Sequence, residues 1–182
     1  MGLTMILKNT LQKFLFFSAA ALFTACGEEL NNDRIPALPV DINLATPGLW
    51  ATYGISGVNT YQFFIKDKRI PSGFYYLENS YTGFGGVLLA GMSNDVPWGD
   101  AADAAWPYRP VAFDLACPVE VDPSVIVGID EYRMEAVCPV CKSRYSLEAG
   151  GGAVAGPAVG MKYGLQQYKC IGSPMNGFRI IR

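Results

Sequence analysis

The chain has 182 residues, about half of them hydrophobic, with 20 Gly, 12 Pro and 16% charged residues, which suits one core-bearing domain plus short extras. A net charge of -2 and a sequence pI near 5.1 leave no basic footprint, so nucleic acid is not an expected partner. No histidine is present, which removes the usual triads and every imidazole metal ligand.

Lys8 and Lys13 precede an apolar run from Phe14 to Phe23, broken by Ser18, that ends in Thr24-Ala25-Cys26. The run is too short to span a bilayer as a helix and has the order of a targeting segment. It resembles a bacterial lipoprotein signal, with Phe23 where that pattern usually has Leu. The resemblance implies cleavage after residue 25 and lipid on Cys26, hence a cell-envelope location, membrane-anchored and with the outer membrane favoured. The alternative is an ordinary secretory peptide in which Cys26 has no role. Glu28, Glu29, Asp33 and Asn31-Asn32 then read as a flexible tether over 26–37, with one domain over 38–182.

Within that domain the expected elements are strands. Val40 to Leu44 alternates apolar and polar residues, and Tyr168 to Ile171 does so more weakly. Gly86 to Ala90 and Val111 to Leu115 are short apolar runs between turn residues. Val125-Ile126-Val127, Tyr145-Ser146-Leu147 and Phe178 to Ile181 supply more. Gly150-Gly151-Gly152, Gly156-Pro157 and Ser173-Pro174 mark turns. Asp100 to Ala105 reads as one helical turn on a loop, and no stretch after residue 30 keeps a helical period for three turns. The fold class is therefore all-β, a small antiparallel sandwich or barrel.

Cys117-Pro118-Val119-Glu120 and Cys138-Pro139-Val140-Cys141-Lys142-Ser143-Arg144-Tyr145 carry the chemistry. Cys117-x2-Glu120, seventeen residues, then Cys138-x2-Cys141 has the spacing of a zinc ribbon with one cysteine replaced by glutamate. The same cysteines also suit disulfides. Beyond Cys26 there are four, with Cys170 as a further partner, and an exported domain is the usual setting for bridges. A bridge from Cys117 to Cys138 or Cys141 would contribute on the order of 3 kcal/mol. The Cys-x-x-Cys form admits thiol redox chemistry too, although it leads into a strand here, without the helix N-terminus that ordinarily activates the first thiol.

Together with Ala112 to Pro118, Gly150, Gly156-Pro157-Ala158, Leu165 and Tyr168, these motifs resemble a Rieske iron-sulfur domain. The likeness is close over about 110–182 and looser over Val40 to Leu89. It implies a Rieske-like β-sandwich or barrel with two cysteine-bearing loops around a 2Fe-2S cluster held by two cysteines and two histidines. Here Cys117 and Cys138 take the cysteine positions, but Val119 and Cys141 stand at the histidine positions and Lys142 replaces a glycine. The cofactor expectation is thus a 2Fe-2S cluster with nonstandard ligation or zinc, or none if the cysteines are bridged.

Other constellations are weaker. Asp130, Glu131, Arg133 and Glu135 read as a solvated charged face, and no nucleophile elbow or nucleotide-binding context occurs. Phe63-Phe64 and Phe74-Tyr75-Tyr76 read as core, whereas Trp98 and Trp106 are candidates for a surface. The sequence favours a structural or binding module over an enzyme, with an iron-sulfur or thiol-redox protein as the alternative. It names no protein or redox partner.

Overall fold

A computed structural model describes residues 31–66, 81–93, 108–173 and 176–182. Cys26, the targeting segment, Phe74 to Tyr76, Trp98, Trp106 and the expected turn at Asp100 to Ala105 lie outside them. The described elements are β1 (Val40–Leu44), α1 (Pro47–Tyr53), β2 (Tyr61–Phe64), β3 (Tyr81–Thr82), β4 (Val87–Met92) and β5 (Arg109–Asp114). Then come β6 (Gly128–Asp130), β7 (Glu135–Val137), β8 (Arg144–Ser146), β9 (Gly152–Ala155), α2 (Pro157–Met161), β10 (Gln167–Ser173) and β11 (Gly177–Ile181).

The strands form a seven-stranded sheet in the order β2-β4-β5-β10-β11-β1-β3 and a four-stranded sheet in the order β6-β7-β8-β9. Every pairing is antiparallel. The large sheet curls into a nearly closed barrel, and the chain is all-β in class.

Every residue of β4 and β5 is buried, which explains why these strands appear as continuous apolar runs. The two-residue period then divides them between two cores. Val87, Leu89 and Ala112 pack with Val40, Ile42, Leu44, Trp50, Phe178 and Ile180. Leu88, Ala90, Met92, Val111 and Phe113 face the other way, where Ala136 and Tyr145 of the small sheet cover them. This second core also holds Cys117 and Cys138, so the small sheet and the large one close over the cysteines together.

Two expectations change. Val125 to Val127 is not a strand: Ile126 forms one isolated bridge to Ala116, and β6 starts only at Gly128. The described part of the expected tether is docked rather than free. Asn31 pairs with Tyr163, its backbone N–H donates to Lys162 O at 2.9 Å and its carbonyl accepts from Gly164 at 3.1 Å. Ile35 is buried, so an apolar side chain within a polar stretch draws the segment onto the domain. The short helices agree with the lack of a long helical period. Thr46 caps α1 by accepting the Leu49 N–H, with Pro47 at the first turn, as helix entry favours.

Candidate metal centre

Two loops meet at one end of the second core. The first leaves β5 and is pinned at its base by a short ladder in which Cys117 N–H donates to Val125 O and Val127 N–H donates to Leu115 O. Val121, at φ 52°, turns the chain so that its N–H returns to Cys117 O at 2.9 Å. The second loop joins β7 to β8. Cys138 N–H donates to Ser143 O at 2.9 Å, closing the turn, and Lys142 takes the left-handed φ of 60° inside it.

Asp114 anchors the first loop. It is fully buried; its Oδ1 accepts the N–H groups of Gly85 at 2.9 Å and Ala116 at 2.7 Å. Its Oδ2 accepts the Phe84 N–H at 2.8 Å and the Tyr168 hydroxyl. Burial raises the Asp114 pKa above the usual carboxylate value, opposed by those hydrogen bonds. The carboxylate thus ties the turn before β4, the start of the cysteine loop and β10 to one point.

The ladder and the closed turn bring three thiols together. The Sγ atoms of Cys117, Cys138 and Cys141 all lie within 4.8 Å of one another, and Cys117 Sγ is 3.6 Å from Cys141 Sγ. Thiolates on one tetrahedral zinc, with bonds of about 2.3 Å, stand roughly 3.8 Å apart, so the pair already has the spacing of a tetrahedron's edge. A 2Fe-2S cluster divides its protein ligands between two irons; a group this tight suits a single metal ion better.

The backbone and neighbouring hydroxyls are arranged to support sulfur charge. Pro139 has no N–H, and the next two amides, Val140 and Cys141, hydrogen-bond Cys138. Cys141 Sγ is 3.2 Å from Ser143 Oγ and also receives the Ser143 N–H. Ser143 Oγ also accepts the Ala158 N–H at 3.1 Å, which fixes it beside Cys141 Sγ. Tyr145 Oη lies 3.5 Å from Cys117 Sγ. Burial pushes the Cys138 thiol up to about 12. Burial also opposes ionisation of Cys141, but the Ser143 hydroxyl and amide and the neighbouring thiols outweigh it and lower that pKa. Tyr145 is raised by burial and by Cys117, so its hydroxyl stays protonated.

Two residues expected at the site are not in this group. Glu120 is only partly buried and its carboxylate falls outside the 4.8 Å set, because the turn at Val121 closes on Cys117 without carrying Glu120 to the sulfurs. Cys170 shares a strand face with Tyr168, two residues away, and packs against the first core, where no other cysteine is found; burial raises its thiol to about 12. Among the described residues Cys170 and the three site cysteines belong to different cores. All four described cysteines are free thiols.

Elsewhere, Arg144 on β8 holds Asp130 and Glu135, each at 2.5 Å, so the charged face is an ion-pair cluster tying three strands of the small sheet. Tyr61 on β2 donates to Glu131 at 2.7 Å, joining the two sheets at that edge. Phe64 is buried, as expected of a core aromatic. Ser143 and Tyr145 were legible as parts of the motif, but nothing in the sequence assigned them to particular sulfurs. No protein-family model matches the chain, and no curated protein is significantly similar to it.

Proposed function

We propose that the chain is a lipid-anchored protein of the cell envelope, a structural or binding module whose two cysteine loops are held together by one soft metal ion, zinc foremost. The observation that carries the metal is the convergence of the Cys117, Cys138 and Cys141 sulfurs within 4.8 Å. Thiolates favour zinc and other thiophilic ions, and the amides of Val140, Cys141 and Ser143 disperse the charge that three thiolates accumulate. The resemblance to Rieske domains supports the same placement: two cysteine-bearing loops that meet at one site. Val119 and Cys141 at the histidine positions turn that site away from a standard cluster and toward a single ion.

The full chain, prepared anaerobically with a phosphine reductant, should contain one zinc per molecule, show no charge-transfer colour from iron and sulfide, and release its thiols to titration only after denaturation. Stoichiometric iron with sulfide would replace this reading by an iron-sulfur protein. Absence of metal, with thiols that react only after reduction, would replace it by a disulfide-stapled module. One observation favours a second reading, thiol redox chemistry: Cys117 and Cys141 are 3.6 Å apart, and the lowered Cys141 pKa supplies the thiolate that exchange requires. That reading requires the Cys117 to Cys141 bridge to form and reduce reversibly at a defined potential.

A further inference from the structure

Resting on the metal reading, we infer that the fourth coordination position of the ion is open to the surface and takes an exogenous thiolate, which makes the centre a ligand-binding site. Structural zinc sites are closed by four protein ligands, whereas three protein ligands with an exchangeable fourth mark sites that act on something else. Among the described residues the sulfurs of Cys117, Cys138 and Cys141 have no fourth cysteine or carboxylate beside them, and the chain has no histidine. The two nearby hydroxyls are engaged with sulfur, Ser143 Oγ beside Cys141 and Tyr145 Oη beside Cys117.

The exposure of the three cysteines is unequal. Cys117 and Cys138 are fully buried, Cys141 is half-buried, and Val140 between the last two is 56% exposed. The ion is therefore reached from the Cys138–Cys141 turn. That mouth favours a soft anionic sulfur with an apolar substituent. Three thiolates already make the site soft, and Val140 offers hydrocarbon contact. The Lys142 ammonium, donating to Pro139 O at 2.5 Å, places positive charge on the same turn. The exchange balances simply: a metal–water bond breaks, a metal–sulfur bond forms, and the incoming thiol gives its proton to solvent without any change of oxidation state.

The test uses the full chain loaded with cobalt(II) as a visible reporter, kept reduced with a phosphine and titrated with 2-mercaptoethanol; ethanol serves as the control. The expected result is a saturable rise in sulfur-to-cobalt charge-transfer absorption, with one proton released per thiol bound and no response to ethanol. Val140→Trp, which crowds the mouth while retaining the backbone amide that hydrogen-bonds Cys138, should weaken thiol binding to the cobalt-loaded chain about tenfold. Cobalt bound one to one with a spectrum indifferent to thiol would overturn the open position while leaving the metal centre intact. Loss of cobalt to the added thiol would overturn it as well. Failure to bind cobalt at all would remove the metal reading, and the open position with it.

Discussion

At the scale of single residues, the three site cysteines differ from Cys170 in what surrounds them. Cys138 is fully buried and receives two amide hydrogen bonds, so Cys138→Ala should abolish stoichiometric metal, whereas Cys170→Ala should leave metal content unchanged; elemental analysis of the two variants decides it. Tyr168→Phe tests the anchor below the first loop. It removes one of four donors from a buried carboxylate, and leaving that oxygen short of a partner should cost about 1–3 kcal/mol in denaturant unfolding. Arg144 supplies a pH test. Its hydrogen bond to Asp130 is the main cause holding that carboxyl below its ordinary value. A lowered folded-state pKa means the contribution is present above the unfolded value and lost as pH falls through the folded one. In Arg144→Met the Asp130 carboxyl should titrate closer to the ordinary value by NMR; an unchanged titration would discount the ion pair. The cysteines were legible in the sequence because their spacing alone suggests a site. Asp114 was not, since three of its four partners come from 29, 30 and 54 residues away and no local pattern announces such a meeting.

At the scale of elements, the glycine before α2 presses on the site. Gly156 has φ 82°, and a Cβ there would sit 2.7 Å from Ser143 Cα. Gly156→Ala should displace the Ser143 turn and lower metal affinity at least tenfold, readable by competition with a chromophoric chelator, while Gly128→Ala, whose Cβ would meet nothing within 4 Å, should leave it unchanged. Val40 to Leu44 could be read from sequence as β1 without adjustment, because one face is buried and the other is not. The small sheet could be read only in fragments. Its strands β6, β7 and β8 are three residues each, too short for a period of two to show, and they are strands because Arg144 and the second core hold them. Val125 to Val127 misled for the opposite reason: its apolar residues pack into the second core as part of a loop, where burial alone gives a strand's composition.

At the scale of the whole molecule, a metal that binds the folded state alone adds stability by mass action, about 4 kcal/mol when free metal is a thousandfold above its dissociation constant. Chelation should therefore lower the melting temperature of the full chain by on the order of 10 °C, with recovery on adding zinc; no shift would mean that the loops close without metal. The proposed lipidation has its own test: Cys26→Ser should move the protein from the membrane to the soluble fraction, and continued membrane association would overturn the anchor. The pairing of β1 has a further consequence in time. β1 pairs with β11, Asp41 opposite Ile181, so the first strand of the domain waits for the last residues to be delivered before it acquires that neighbour. Such long-range pairing folds slowly. For a chain folding in an oxidising compartment, as the proposed location would make it, slow closure sets a race between metal binding and oxidation for the sulfurs of Cys117, Cys138 and Cys141.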